Sequence, residues 1–135
     1  MRILVDTNVV LDVLLGRKPF VDNATRVFGL IERTQVEGLL CATTVTTIDY
    51  LLTQTFSRPE SLGTIRRLLG LFEIAPVNRL VLEEALRSRI VDFEDAVLEQ
   101  SARLSEADVI VTRNTRDFRN SAVKAVEPDE LLASL

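Results

Sequence analysis

A three-layer α/β/α sandwich around a short, mostly parallel central sheet is the fold class the sequence predicts, on three observations. Ile3-Leu4-Val5 and Val109-Ile110-Val111 are β-forming runs without polar alternation, as strands covered on both faces require. Around them, short strand-like runs take turns with segments of helical period, the pattern of βαβ units. No linker, repeat or low-complexity tract interrupts the 135 residues, so 1–135 reads as a single domain with a sizeable core.

The first run places a strand at the sheet's centre and ends abruptly at Asp6. Val9 to Leu15 follows, apolar all round, as a short helix packed on most sides would be. Asp6 therefore stands at a strand's carboxyl end, where open α/β sheets bind ligands. Gly16-Arg17-Lys18-Pro19 is a turn, and Ala24, Val27, Phe28 and Ile31 repeat at helical spacing behind candidate caps Asp22 and Asn23. Gly38 precedes a second buried strand, Leu39-Leu40-Cys41-Ala42. The threonine-rich stretch 43–47 then leads into a third helix through about Phe56, with Val45, Ile48, Leu52 and Phe56 as its inward stripe and Asp49 within it.

Arg58-Pro59-Glu60 breaks the chain before a fourth helix of Leu62, Ile65, Leu68, Leu69 and Phe72. Its Gly63 and Gly70 lie near one face and could admit a close neighbour, such as a second subunit in a homodimer. Glu73-Ile74-Ala75 is a brief strand, and Asn78 caps a helix with Leu82, Ala85 and Leu86 inward. Asp92-Phe93-Glu94-Asp95 opens the next helix, to about Leu104. After Val109–Val111 come Thr112-Arg113-Asn114 and Arg116-Asp117-Phe118, which mirror the opening stretch: strand, hydroxyl, amide, acid. Lys124 to Glu127 reads as an edge strand, and Pro128 starts a short last helix.

Composition excludes several chemistries. The chain has no histidine and one cysteine, Cys41, inside an apolar run, so His-based triads, His metal sites and an intrachain disulfide are all out. With no stretch of 18 apolar residues and no signal-peptide pattern at the amino terminus, the expectation is a cytoplasmic protein without a membrane span. The net charge of −4 argues against a nucleic-acid partner unless carboxylates are gathered to hold cations, two of which would cancel it. Of the 16 basic residues only Lys18 and Lys124 are Lys, a skew that suits phosphate contacts but also fits coding bias.

Four acids, Asp6, Asp49, Asp95 and Asp117, come from separate segments, and two of them follow the strands expected to be central. Like charges brought together raise one another's pKa unless a cation neutralises them. Oxygen ligands without His or a usable thiol select Mg²⁺ or Mn²⁺, one ion or two. Each acid also has a structural alternative. Asp49 could be a buried acid satisfied by backbone or an Arg, Asp95 the N3 partner of the cap Asp92, and Asp117 the cap of a turn. Asp6 has little structural reason to end a buried strand. Asp12 is expected to face solvent and Asp108 to be an ordinary surface residue.

Taken in order, Val5-Asp6-Thr7-Asn8, the threonine-rich entry to Asp49, Asp92-Phe93-Glu94-Asp95-Ala96, and Ile110-Val111-Thr112-Arg113-Asn114 with Asp117-Phe118 resemble the PIN-domain family, which includes VapC-like toxin ribonucleases. The resemblance spans essentially the whole chain. It implies a parallel-stranded α/β/α fold, Mg²⁺ or Mn²⁺, endoribonuclease activity and, for a toxin, an antitoxin protein as partner. The family's acids fall on Asp6, Asp49, Asp95 and Asp117, and Thr7, Thr112 and Asn114 match its supporting polar positions. One departure stands out: the second acid is commonly Glu. Asp49 is one methylene shorter, so a bridging water is the expected link to a metal, with Glu94 the alternative acid.

The function this implies is metal-dependent hydrolysis of RNA phosphodiester bonds, with carboxylates as metal ligands and Arg113, Arg116 and Arg119 available to backbone phosphates. The alternative from another class is a catalytically weakened PIN-like module that binds RNA or a protein without cutting, which Asp49 favours. Aspartyl-phosphate chemistry on Asp6 would want an acid at position 8, which is Asn8, and a nearby Lys.

Overall fold

The computed structural model describes residues 1–135. Strands β1 (Arg2–Val5), β2 (Glu37–Cys41), β3 (Glu73–Ala75), β4 (Val109–Val111) and β5 (Lys124–Val126) form one sheet in the order β3-β2-β1-β4-β5. All four pairings are parallel, and β1 is central as its composition predicts. Seven helices cover it: α1 (Thr7–Leu14), α2 (Val21–Glu32), α3 (Ala42–Leu52), α4 (Arg58–Leu71), α5 (Arg79–Leu86), α6 (Phe93–Leu104) and α7 (Pro128–Ala133).

The absence of polar alternation in the strands is explained by two separate cores. Ile3, Val5, Leu40, Val109 and Val111 pack with Val9, Val27, Ile48, Leu68 and Leu131 from α1, α2, α3, α4 and α7. Leu4, Leu39, Cys41 and Ile110 point the other way, against Ala85 of α5 and Ala96 and Ala102 of α6. Successive residues of a strand face opposite layers, so a strand between two helical layers is apolar throughout. Gly38 is needed for this packing, since a Cβ there would sit 2.6 Å from Ile31 Cδ1. No helix is long and apolar enough to cross a membrane.

The chain runs from β1 outward through β2 to β3, then returns to lay β4 on the other side of β1. Strand order thus reverses between β1 and β4, and the crevice at their carboxyl ends is where such sheets bind ligands. Asp6 follows β1 and Thr112 follows β4, side by side. The Asp6 N–H donates to the Val111 carbonyl at 2.9 Å.

Several helix faces differ from the sequence reading. α3 ends at Leu52, its buried stripe is Thr44, Ile48 and Leu52, and Phe56 lies beyond it in the open. Arg58-Pro59-Glu60 begins α4 rather than separating it: Ser57 Oγ accepts from Glu60 N–H, and Glu60 accepts in return from Ser57 N–H. That start leaves Leu69 exposed and buries Ser61 and Leu68. Gly63 and Gly70 have open space around them and no packed neighbour within the chain. In α5 the inward residues are Val81 and Ala85, while Leu82 and Leu86 face out.

Candidate active site

Asp6 is built into the β1–α1 junction and does have a structural task that the sequence reading denied it. As N-cap of α1 it accepts from Thr7 N–H at Oδ1 (2.7 Å), satisfying one of the donors a helix start leaves open. Its Oδ2 accepts from Thr112 Oγ1 at 2.8 Å and from Asn8 Nδ2 at 3.2 Å. Burial pushes the Asp6 carboxyl above the usual carboxylate range. The bonds from Thr112 and Thr7 pull it back, and the charge of Glu94 raises it again.

Thr112 is fully buried, and besides serving Asp6 its Oγ1 accepts from Asn114 N–H at 3.0 Å, which shapes the turn after β4. Thr7 turns its hydroxyl to Thr44 Oγ1 (3.0 Å), so only its backbone N–H serves Asp6, and Asn114 likewise acts through its backbone. Asn8 is the supporting residue the sequence reading left out of the site. Its amide spans the crevice, donating to Asp6 and accepting from Arg113 N–H at 3.2 Å. The signal was the Thr-Asn pairing after both central strands.

Asp95 lies in the first turn of α6, whose N-cap is Asp92, with Asp92 Oδ1 accepting from Asp95 N–H at 3.0 Å. The return bond of a capping box is not made, and the Asp95 carboxylate has no hydrogen-bond partner. Burial, then the charges of Asp92, Asp6, Asp117 and Glu94, push it up to about 6. Asp117 sits on the 3-10 turn Thr115–Phe118, exposed, its own N–H bound to the Asn114 carbonyl. Asp95 and Asp117 both line an open cleft of about 770 Å³. Arg89 to Phe93 line it from one stretch of the chain, and Arg116, Arg119 and Asn120 from another. No ion pair involves Asp6, Asp95 or Asp117.

Asp49 is not brought to this cleft. It lies off the buried stripe of α3 and faces α4, where its Oδ1 accepts from the buried Ser61 hydroxyl at 2.7 Å. The acids acting most strongly on Asp95 leave Asp49 out and include Glu94. No three His, Cys, Asp or Glu side chains converge closely enough to grip an ion unaided.

Two further expectations are corrected at the far end of α1. Asp12 does not face solvent; it is 0% exposed and held by Arg113, Nε to Oδ2 at 2.7 Å and Nη2 to Oδ1 at 3.2 Å, with Arg17 3.9 Å away. Arg113 also lies over the Phe20 ring, 4.0 Å from its centroid. It is therefore engaged within the protein and not offered to phosphates. Arg89, which the sequence reading passed over, stands in the cleft wall in its place.

With the geometry in view, comparison with known proteins is direct. A family model described as PIN domain matches residues 2–116. Among solved structures, FitAcB from Neisseria gonorrhoeae superposes with a TM-score of 0.72 at 20% identity, covering 93% of this chain and 97% of its own. A toxin-antitoxin complex from Klebsiella pneumoniae gives 0.71 at 23% identity, with 93% and 96% covered. VapBC2 from Rickettsia felis, bound to a DNA fragment from its promoter, gives 0.70 at 14%, with 94% and 98%. At these identities the structures establish a common fold. No curated protein sequence matches the chain significantly.

Proposed function

The chain belongs to the PIN-domain family, and from that premise we propose that it is a Mg²⁺- or Mn²⁺-dependent endoribonuclease that hydrolyses RNA phosphodiester bonds in the cytoplasm as the toxin of a toxin-antitoxin pair. The observation that carries the reading is Asp95: a half-buried carboxyl with no hydrogen bond and no cation, pushed up to about 6 by burial and by surrounding acids. A divalent ion would relieve the mutual repulsion of such a group of acids. The donors at hand are all oxygens, which suits Mg²⁺ and Mn²⁺. Mg²⁺ is commonly held by one or two carboxylates, completed by water and substrate phosphate, so a preformed trio is not required.

Asp6 and Asp95 would hold the ion, with Asp117 and Glu94 beside them and Thr112 and Asn8 fixing the Asp6 carboxylate. When bound, the ion supplies Lewis-acid stabilisation of the phosphoryl group and acidifies water. Asp95, pushed up to about 6 in the metal-free protein, is still mostly ionised at neutral pH and so able to serve as a ligand. Arg89, Arg116 and Arg119 stand where a phosphate backbone would run through the cleft. Phe93, 49% exposed on the same wall, gives an unpaired base a flat surface to stack on. Leu82 and Leu86, exposed on α5, offer apolar area to a protein partner, an antitoxin or a second copy. The Klebsiella structure, a toxin-antitoxin complex, supports the first.

The second reading, a PIN-like module that binds without cutting, is favoured by Asp49, whose bond to Ser61 removes one acid from the set. A single-stranded fluorescent RNA incubated with purified protein decides between them. Cleavage with Mn²⁺, none with EDTA and none by Asp95→Asn is the expected result. Equal cleavage in EDTA would sink the metal mechanism, and Mn²⁺-dependent RNA binding without cleavage would select the module.

A further inference from the structure

Glu99 is the most deeply buried carboxylate on α6, 2% exposed, and the chemistry described above makes no use of it. It lies one helical turn after Asp95, on the same face of the helix. Both its oxygens are occupied by donors from three places. Oε1 accepts from Ser88 Oγ at 2.6 Å and from Gln100 Nε2 at 2.8 Å, and Oε2 accepts from Ala122 N–H at 2.7 Å. Two of these donors adjoin the two chain segments, 89–93 and 116–120, that line the cleft. Ser88, whose Oγ also accepts from Ile90 N–H at 3.0 Å, anchors the strip that carries Arg89 and Phe93, while Ala122 lies two residues after Asn120.

We infer that Glu99 is a positioning residue that ties the two chain segments lining the cleft to α6 and so sets where Asp117 stands relative to Asp95 beside the divalent-cation site, an inference that rests on the metal-dependent reading above. Ile90 shares an apolar cluster with Phe118 and Val123, but no ion pair links residues 88–92 to 116–123, so Glu99 supplies the charged tie between them. A carboxylate suits the task because it accepts from several donors at once, and charge-assisted bonds are stronger than neutral ones. An apolar residue of similar volume would fill the space but remove the one acceptor that the Ser88 hydroxyl and the Ala122 N–H share. Ligand geometry matters to affinity even when the residue that fixes it never touches the ion.

The test uses Mn²⁺ alone as probe, by calorimetric titration of wild type, Glu99→Ala and Ser88→Ala at a temperature where circular dichroism shows each folded. Ser88→Ala releases one wall while Glu99 keeps Ala122, so it decides the matter should Glu99→Ala fail to fold. The expected result is Mn²⁺ affinity lowered roughly tenfold, with faster amide exchange confined to 88–92 and 119–123. A residue that merely stabilised the fold would lower the melting temperature and leave the Mn²⁺ affinity of the folded protein within about twofold of wild type, and that result overturns the inference. Wild type that takes up no Mn²⁺ overturns the metal-dependent reading, and this inference with it.

Discussion

Asp6 caps the start of the first helix and Asp12 lies near its end, both buried, and adjacent residues after β4 serve them: Thr112 reaches Asp6, and Arg113 reaches Asp12. One acid receives a hydroxyl and the other a guanidinium. Asp12 is thereby neutralised within the fold, by a two-pronged bond backed by Arg17. Asp6 is solvated by dipoles but keeps an uncompensated charge, close to three more acids that act with it on Asp95. The difference separates a structural acid from one that waits for something outside the chain. A buried carboxylate with its own cation is complete, whereas a group of carboxylates without one is stabilised by whatever cation arrives.

The largest expected effect lies on the completed side. Arg113→Met leaves the buried Asp12 with only Arg17, 3.9 Å away and making no hydrogen bond to it, and should lower stability by about 3 kcal/mol, read as a fall in melting temperature. Adding Asp12→Leu should recover most of the loss, since the penalty belongs to the orphaned charge. If the single variant melts within a degree or two of wild type, the contrast between the two acids collapses.

On the open side, Mn²⁺ at 100 times its Kd should raise the stability of wild type by about 2.7 kcal/mol. Asp95→Asn should gain little from the same addition. Arg113→Met, although weakened, should gain nearly as much as wild type, because its defect is at the other end of α1. A uniform gain across all three proteins would mean that the ion binds elsewhere.

The smallest effect sharpens the comparison through pH. The Asp95 carboxyl is near 6 in the folded protein and about 3.9 in an unfolded chain. Between those values the folded state binds the extra proton, so this group's contribution to stability falls as pH rises from about 4 to 6. Allowing for solvent screening of a group that is only half-buried, the drop is about 1 kcal/mol. Melting curves in EDTA across this range should slope downward for wild type and more gently for Asp95→Asn. An unchanged slope in the variant would show that Asp95 is not the group under pressure. In excess Mn²⁺ the slope should reverse, since the proton and the ion compete for one carboxylate.

Much of this arrangement is written in the chain's local pattern. The all-apolar runs 3–5 and 109–111 require strands covered on both faces, which makes them central. The residue that ends each run is then at the sheet's carboxyl edge whatever the detail of the helices. That is why Asp6 and Thr112 were legible as neighbours at that edge, and why the lack of His made a hard divalent cation the expectation there. Helix faces were less legible where caps set the phase: a start at Ser57 turned Leu69 outward, and a start at Asn78 turned Leu82 and Leu86 outward. What only the tertiary structure decided are the pairings between residues far apart in the chain: Arg113 with Asp12, Ser61 with Asp49, and Glu99 with both Ser88 and Ala122. Periodicity tells which side of an element is apolar because burial acts on each residue singly. A polar group's fate depends on which single partner lies within about 3 Å, a distance that is fixed only when distant elements have packed.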